Sequence, residues 1–141
     1  MKIFFSGPLT NLANPEKTKE FYHKLDDKAK EMGFETFWAF IAGTDPIKHP
    51  DVSPHDVYLR DIQALDESQL MISYVGEPST GTGIEIEHAY VTNKPVVILY
   101  EKEKHVSRML RGCPAVKKEI IFENEDDAVK QLSLYLSSVL S

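Results

Sequence analysis

The chain predicts an α/β protein built on a parallel sheet, and three observations support that fold class. Short apolar runs alternate with amphipathic stretches from end to end, the order of a sheet covered by helices on both faces. Runs such as Val96-Val-Ile-Leu99 are continuously apolar rather than alternating, as strands buried on both sides require. Finally, the loop from Gly76 to Gly83 holds three glycines between an apolar run and a helical stretch. Such a junction presents backbone N–H groups and the positive end of a helix, where anions bind.

Taken in order, Lys2–Ser6 reads as a first strand ending at Gly7-Pro8. Asn14 before Pro15 and Glu16 opens a helix, with a capping side chain followed by a proline where no N–H is needed. Phe21, Leu25, Ala29 and Met32 then recur at helical spacing until Gly33. Thr36–Ile41 is the second expected strand, and residues 43–52, with two prolines, a long loop. Ser53-Pro54 opens a second helix reaching about Glu67. Leu70–Val75 is a third strand and Thr82–Asn93 a third helix, for which Thr82 is a candidate cap. Pro95–Tyr100, a short helix at His105–Arg111, a short strand at Glu119–Phe122 and a helix at Glu125–Leu140 complete the chain.

Five strands favour the order 2-1-3-4-5, a single flavodoxin-like (Rossmann-like) domain over residues 1–141 with a five-stranded parallel sheet and helices on both faces. Its switch point lies between strands 1 and 3. The loops there are Gly7–Leu12, which includes Leu9 and Thr10, and Gly76–Gly83.

The chain of 141 residues suffices for one domain with its own core. A net charge of −6 argues against broad binding to nucleic acid or acidic membranes. Cys113 is the lone cysteine and forms no internal disulfide, which fits a reducing compartment. The apolar start Met1-Lys-Ile-Phe-Phe5 is too short for a signal peptide, and no run is long enough to span a membrane. A cytoplasmic location is expected.

Two carboxylates stand out. Glu85 follows the glycine loop, but Thr82-Gly-Ile-Glu85 also has the spacing of a capping box, which would turn Glu85 back on its own helix. Asp61 lies four residues from both Val57 and Leu65, on the apolar stripe of its helix. A charge there is costly unless it faces a cavity, reaches solvent at the rim or is paired. Two carboxylates converging on one cleft suit cleavage of a glycosidic bond, one attacking the anomeric carbon and one handling the leaving group's proton. His49, His55, His88 and His105 lack paired metal-ligand spacing, and no metal or organic cofactor is expected. Phe37, Trp38 and Phe40 would suit stacking on a base, though residues in a strand are more often core.

The chain resembles the nucleoside 2-deoxyribosyltransferase superfamily, and most closely its 2'-deoxynucleoside 5'-phosphate N-hydrolase branch. The resemblance rests on Lys2-Ile-Phe-Phe-Ser-Gly-Pro-Leu9, Arg60-Asp-Ile62, Pro78-Ser-Thr-Gly-Thr-Gly-Ile-Glu-Ile-Glu-His-Ala89, Asn93-Lys-Pro95 and Val106-Ser-Arg-Met-Leu-Arg-Gly112. It implies that Glu85 is the nucleophile, that Asp61 holds and protonates the departing base, and that Ser79, Gly81 and Gly83 cradle the sugar and phosphate. It also implies a homodimer in which Ser107 reaches the phosphate bound by the neighbouring subunit. Phe4 stands where the superfamily commonly has a tyrosine near the nucleophile. Leu9-Thr10-Asn11 stands where the hydrolases carry a phosphate-contacting arginine.

The expected activity is hydrolysis of a nucleoside 5'-monophosphate at its N-glycosidic bond, with a small nucleotide as partner. Base exchange by a deoxyribosyltransferase is the alternative, and a non-catalytic nucleotide-binding module the third.

Overall fold

The computed structural model describes residues 1–141. In chain order the elements are β1 (Lys2–Ser6), α1 (Pro15–Glu31), β2 (Glu35–Trp38), α2 (Ala39–Ala42), α3 (Pro54–Asp66), β3 (Leu70–Tyr74), α4 (Thr80–Val91), β4 (Val96–Glu101), α5 (Arg108–Arg111), β5 (Val116–Phe122) and α6 (Glu125–Leu140). The five strands form one sheet in the order β2-β1-β3-β4-β5, with every pairing parallel. The expected fold class and strand order are both observed.

Side chains alternate across β1 and so divide the core. Ile3 and Phe5 join the larger apolar cluster, with Phe21, Tyr22 and Leu25 of α1 and Leu132 and Leu136 of α6. Phe4 points the other way, among Ala64 and Leu65 of α3 and Ile86 and Ala89 of α4. Ser6 follows the same alternation toward α4, and this places a hydroxyl at the carboxyl edge of the sheet. Aromatic rings fix the larger layer. Trp38 is sandwiched between Phe5, centroids 4.9 Å apart, and Tyr22, 4.4 Å apart. Close packing also explains Gly7: a Cβ there would lie 2.5 Å from the Tyr22 hydroxyl, which donates to the Pro8 carbonyl.

Four elements differ from expectation, the simplest being α5, which begins at Arg108 rather than His105 because Ser107 caps it. The second strand ends at Trp38, and Ala39–Ala42 coil into one helical turn that Gly43 closes at φ 102°. Phe40, expected in the strand, instead tucks against Tyr22 and Trp38. The fifth strand starts at Val116, three residues early, because an edge strand tolerates Lys117 and Lys118 on its exposed positions. Most consequential, α4 starts at Thr80, and its cap is Ser79 rather than Thr82. The Ser79 hydroxyl accepts the Thr82 N–H at 3.2 Å, so Gly81 and Gly83 lie within the helix and not before it. No helix is long and apolar enough to cross a membrane.

Candidate active site

The carboxyl edge of the sheet at the β1/β3 switch point opens into a cavity of about 490 Å³. The loop after β1 supplies Gly7, Leu9 and Thr10; the amino end of α4 supplies Ser79, Gly81 and Thr82. Asp61 of α3 and Glu85 of α4 line the same space, along with Thr44, His49 and the apolar Val57 and Ile62. Helix geometry explains how the two carboxylates meet. α3 and α4 pack on the same face of the sheet, and each turns one acidic residue toward the edge they share.

Glu85 is the sixth residue of α4, a full turn beyond a capping-box position. Its Oε1 accepts a hydrogen bond from the Ser6 hydroxyl at 2.6 Å, and Ser6 Oγ also lies 3.1 Å from Thr82 Oγ1. The capping-box alternative is therefore not the one observed. Burial pushes the Glu85 carboxyl up to about 8; the Ser6 hydrogen bond opposes this, and the Asp61 charge adds to it. Asp61 accepts from the Thr44 hydroxyl at 3.3 Å. Burial pushes it up to about 6, against the Thr44 hydrogen bond and the Arg60 charge. Asp61 thus faces the cavity rather than pairing at the rim. Between about pH 6 and 8 the two carboxyls together retain one proton, which deeper burial places on Glu85.

The sequence-predicted residues divide into three groups. Gly7, Leu9, Thr10, Asp61, Ser79, Gly81 and Glu85 meet around the one cavity. Gly83 and Ser107 line an adjoining depression of about 880 Å³ instead, with Ser79 and Thr82 on the ridge between the two. The Ser107 hydroxyl accepts the Leu110 N–H at 3.3 Å and so caps α5. Phe4 lies outside both: it is 1% exposed and stacked on Phe37 at 5.2 Å, so its lack of a hydroxyl leaves no gap in the cavity wall. The residue that reaches the nucleophile candidate from β1 is Ser6. Sequence reading missed Ser6, Thr44 and Thr82, although the alternation of β1 was a usable signal for Ser6. Of the three aromatic candidates for stacking, only Trp38 lines the cavity.

No lysine or arginine lines the cavity. The groups available to an anion at the α4 side of the cavity are the first N–H groups of that helix and the hydroxyls of Ser79 and Thr10. The carboxylate pair occupies the other side.

No protein-family model matches the chain. A protein of Methanosarcina mazei, provisionally named 2'-deoxynucleoside 5'-phosphate N-hydrolase 1, is 30% identical over 131 residues, covering 92% of this chain and 80% of its own. The 5-hydroxymethyl-dUMP N-hydrolase of Branchiostoma floridae is 32% identical over 105 residues, 72% of this chain and 91% of its own. Among solved structures, the Clostridium botulinum CMP N-glycosidase is similar with a TM-score of 0.74 and 25% identity, over 96% of this chain and 99% of that one. The 2-deoxyribosyltransferase of Bacillus psychrosaccharolyticus shares the fold, with a TM-score of 0.69 and 18% identity over 94% and 96% of the two chains. On the strength of these relatives, the chain belongs to the 2'-deoxynucleoside 5'-phosphate N-hydrolase family.

Proposed function

We propose that the protein cleaves the N-glycosidic bond of a (2'-deoxy)nucleoside 5'-monophosphate, releasing free base and (deoxy)ribose 5-phosphate, as one catalytic domain over residues 1–141 in the cytoplasm. The observation that supports this most directly is the meeting of Glu85 and Asp61 in one cavity beside the amino end of α4. A Glu85 carboxylate oxygen attacks the anomeric carbon, and the bond to the base breaks with its electron pair going to the base. Asp61 delivers a proton to that base. Water then cleaves the glycosyl ester, with Asp61 taking up the water's proton.

This sequence needs Glu85 ionised and Asp61 protonated, whereas burial alone makes Glu85 the more basic of the two. Substrate reverses the preference. Positive charge developing on the sugar favours an anion at Glu85, and the lone pair of a departing base favours a proton at Asp61. The proton already resides on the pair, so only its position has to change.

The phosphate sits at the first turn of α4, beside Ser79 and Gly81, and the active form is a homodimer. Ser107 of the partner subunit completes that phosphate site. Support comes from the exposed apolar side chains of Tyr90 and Met109 in the adjoining depression, a surface that a second copy would cover. One observation favours the rival activity of base exchange: a cavity without lysine or arginine suits an unphosphorylated nucleoside. Incubation with nucleosides and their monophosphates, with and without an acceptor base, separates the two. Release of sugar phosphate from monophosphates alone supports hydrolysis, while new nucleosides formed from the acceptor base would replace it with the transferase.

A further inference from the structure

Between α2 and α3 the chain lines one side of the cavity as a loop, and a buried ion pair holds it there. Lys19 of α1 reaches Asp45 at 2.5 Å, with the two side chains 7% and 0% exposed. The Asp45 carboxylate also accepts the N–H groups of Ile47 at 2.8 Å and Lys48 at 3.4 Å. The Asp45 carbonyl accepts the His49 N–H at 2.8 Å, which closes the turn. A buried pair of charges is expensive unless its geometry is satisfied throughout, and here Asp45 is bonded on both oxygens. The loop is thereby preformed. It presents Pro46 and His49 to the cavity from the side of Thr44, whose hydroxyl donates to Asp61.

Within this loop the Asp45 N–H donates to Nδ1 of His49, 3.2 Å away. Nδ1 is therefore the acceptor, and the neutral ring has its hydrogen on Nε2. A ring held in this way offers the cavity a hydrogen-bond donor and no acceptor. It is also the only histidine among the lining residues, and its neighbours on the loop side are the apolar Pro46, Pro50, Val52 and Val57 and the hydroxyls of Thr44 and Tyr58.

We propose that His49 is the base-reading residue of the site, and that its Nε2–H selects nucleotides whose base offers a carbonyl oxygen over those that offer an amino group. The proposal rests on the N-glycosidase reading for its orientation: with the phosphate at α4 and Asp61 at the departing base, the loop that touches Thr44 lies on the base side. A carbonyl at pyrimidine C4 or purine C6 accepts from Nε2–H. An amino group at the same place sets two donors against each other and leaves both unsatisfied.

The test is titration of uridine, thymidine, cytidine, guanosine and adenosine 2'-deoxynucleoside monophosphates into the Glu85→Gln protein, which holds substrate without turning it over. The same series is run in the His49→Ala and His49→Gln backgrounds. We expect carbonyl-bearing bases to bind about five- to thirtyfold more tightly than amino-bearing ones, the span of one satisfied hydrogen bond. His49→Ala should remove that preference, and His49→Gln, which keeps an N–H donor, should retain part of it. A preference for cytosine or adenine, or equal weakening of all five by His49→Ala, would overturn the assignment. So would the absence of any nucleotide binding. Binding with the expected ranking, but no base release by the unsubstituted protein, would leave His49 in place and remove the N-glycosidase reading instead.

Discussion

The hydroxyl of Ser6 donates to Oε1 of Glu85 at 2.6 Å, joining residues 79 apart in the chain across the junction of β1 and α4. This contact opposes the desolvation that pushes Glu85 toward its neutral form. It keeps a buried carboxylate within reach of ionisation at physiological pH.

A bell-shaped dependence of kcat/KM on pH follows, with limbs near about 6 and about 8. Below the lower limb both carboxyls are protonated and no nucleophile exists; above the upper limb both are ionised and no acid exists. Ser6→Ala removes a bond to the ionised form and should move the alkaline limb upward by about half to one pH unit, with lower turnover at pH 7. A single-limbed profile for the unsubstituted protein would remove the shared-proton mechanism.

Glu85→Gln keeps the shape of the side chain but not its attacking charge. Turnover should fall at least ~10³-fold with nucleotide binding retained. Stability should respond to pH as well. The folded-state pKa of Glu85 lies above the unfolded value, so its contribution is complete below about 4.5 and is lost as pH rises through about 8. Melting curves should therefore show Glu85→Gln gaining at least about 3 °C on the unsubstituted protein at pH 8.5 relative to pH 4.5. Equal shifts at both pH values would show that burial does not penalise the Glu85 charge.

Asp61→Asn should sharply reduce base release while leaving stability unchanged or raised, since it removes a desolvated charge whose protein partner is one hydroxyl at 3.3 Å. Thermal unfolding beside a single-turnover assay decides it. A large loss of melting temperature with chemistry intact would assign Asp61 a structural role.

Ser107→Ala should raise KM for a monophosphate by roughly 10- to 150-fold, the value of one charge-assisted hydrogen bond, and leave slow cleavage of the bare nucleoside nearly unchanged. Mixing Ser107→Ala with Glu85→Gln protein puts both defects in one site of each heterodimer and leaves its other site intact, so activity should partly return. If subunits demonstrably exchange and activity does not return, Ser107 belongs to its own subunit.

The architecture was legible in the sequence because its signals are local. Continuous apolar runs specify strands buried on both faces, and cap-then-proline pairs specify where α1 and α3 begin. With five strands and four crossovers of ordinary length, the handedness of such connections leaves few topologies, and the observed order is among them. Asp61 was legible for a similar reason, as a charge on an apolar stripe.

Only the tertiary structure decided what the local signals left open. Ser79 and Thr82 both suit a helix cap, and packing selected Ser79, because Thr82 turns inward to meet Ser6. That choice moved Glu85 from a capping position to the cavity. Phe4 and Ser6 look alike as buried positions of one strand, yet one is sealed between α3 and α4 and the other stands at the sheet's open edge. The Lys19–Asp45 pair and the ring of His49 gave no sequence signal at all, since what defines them is distance across loops. Local propensity acts over a few residues, whereas proton sharing, burial and cavity shape arise only where distant segments meet.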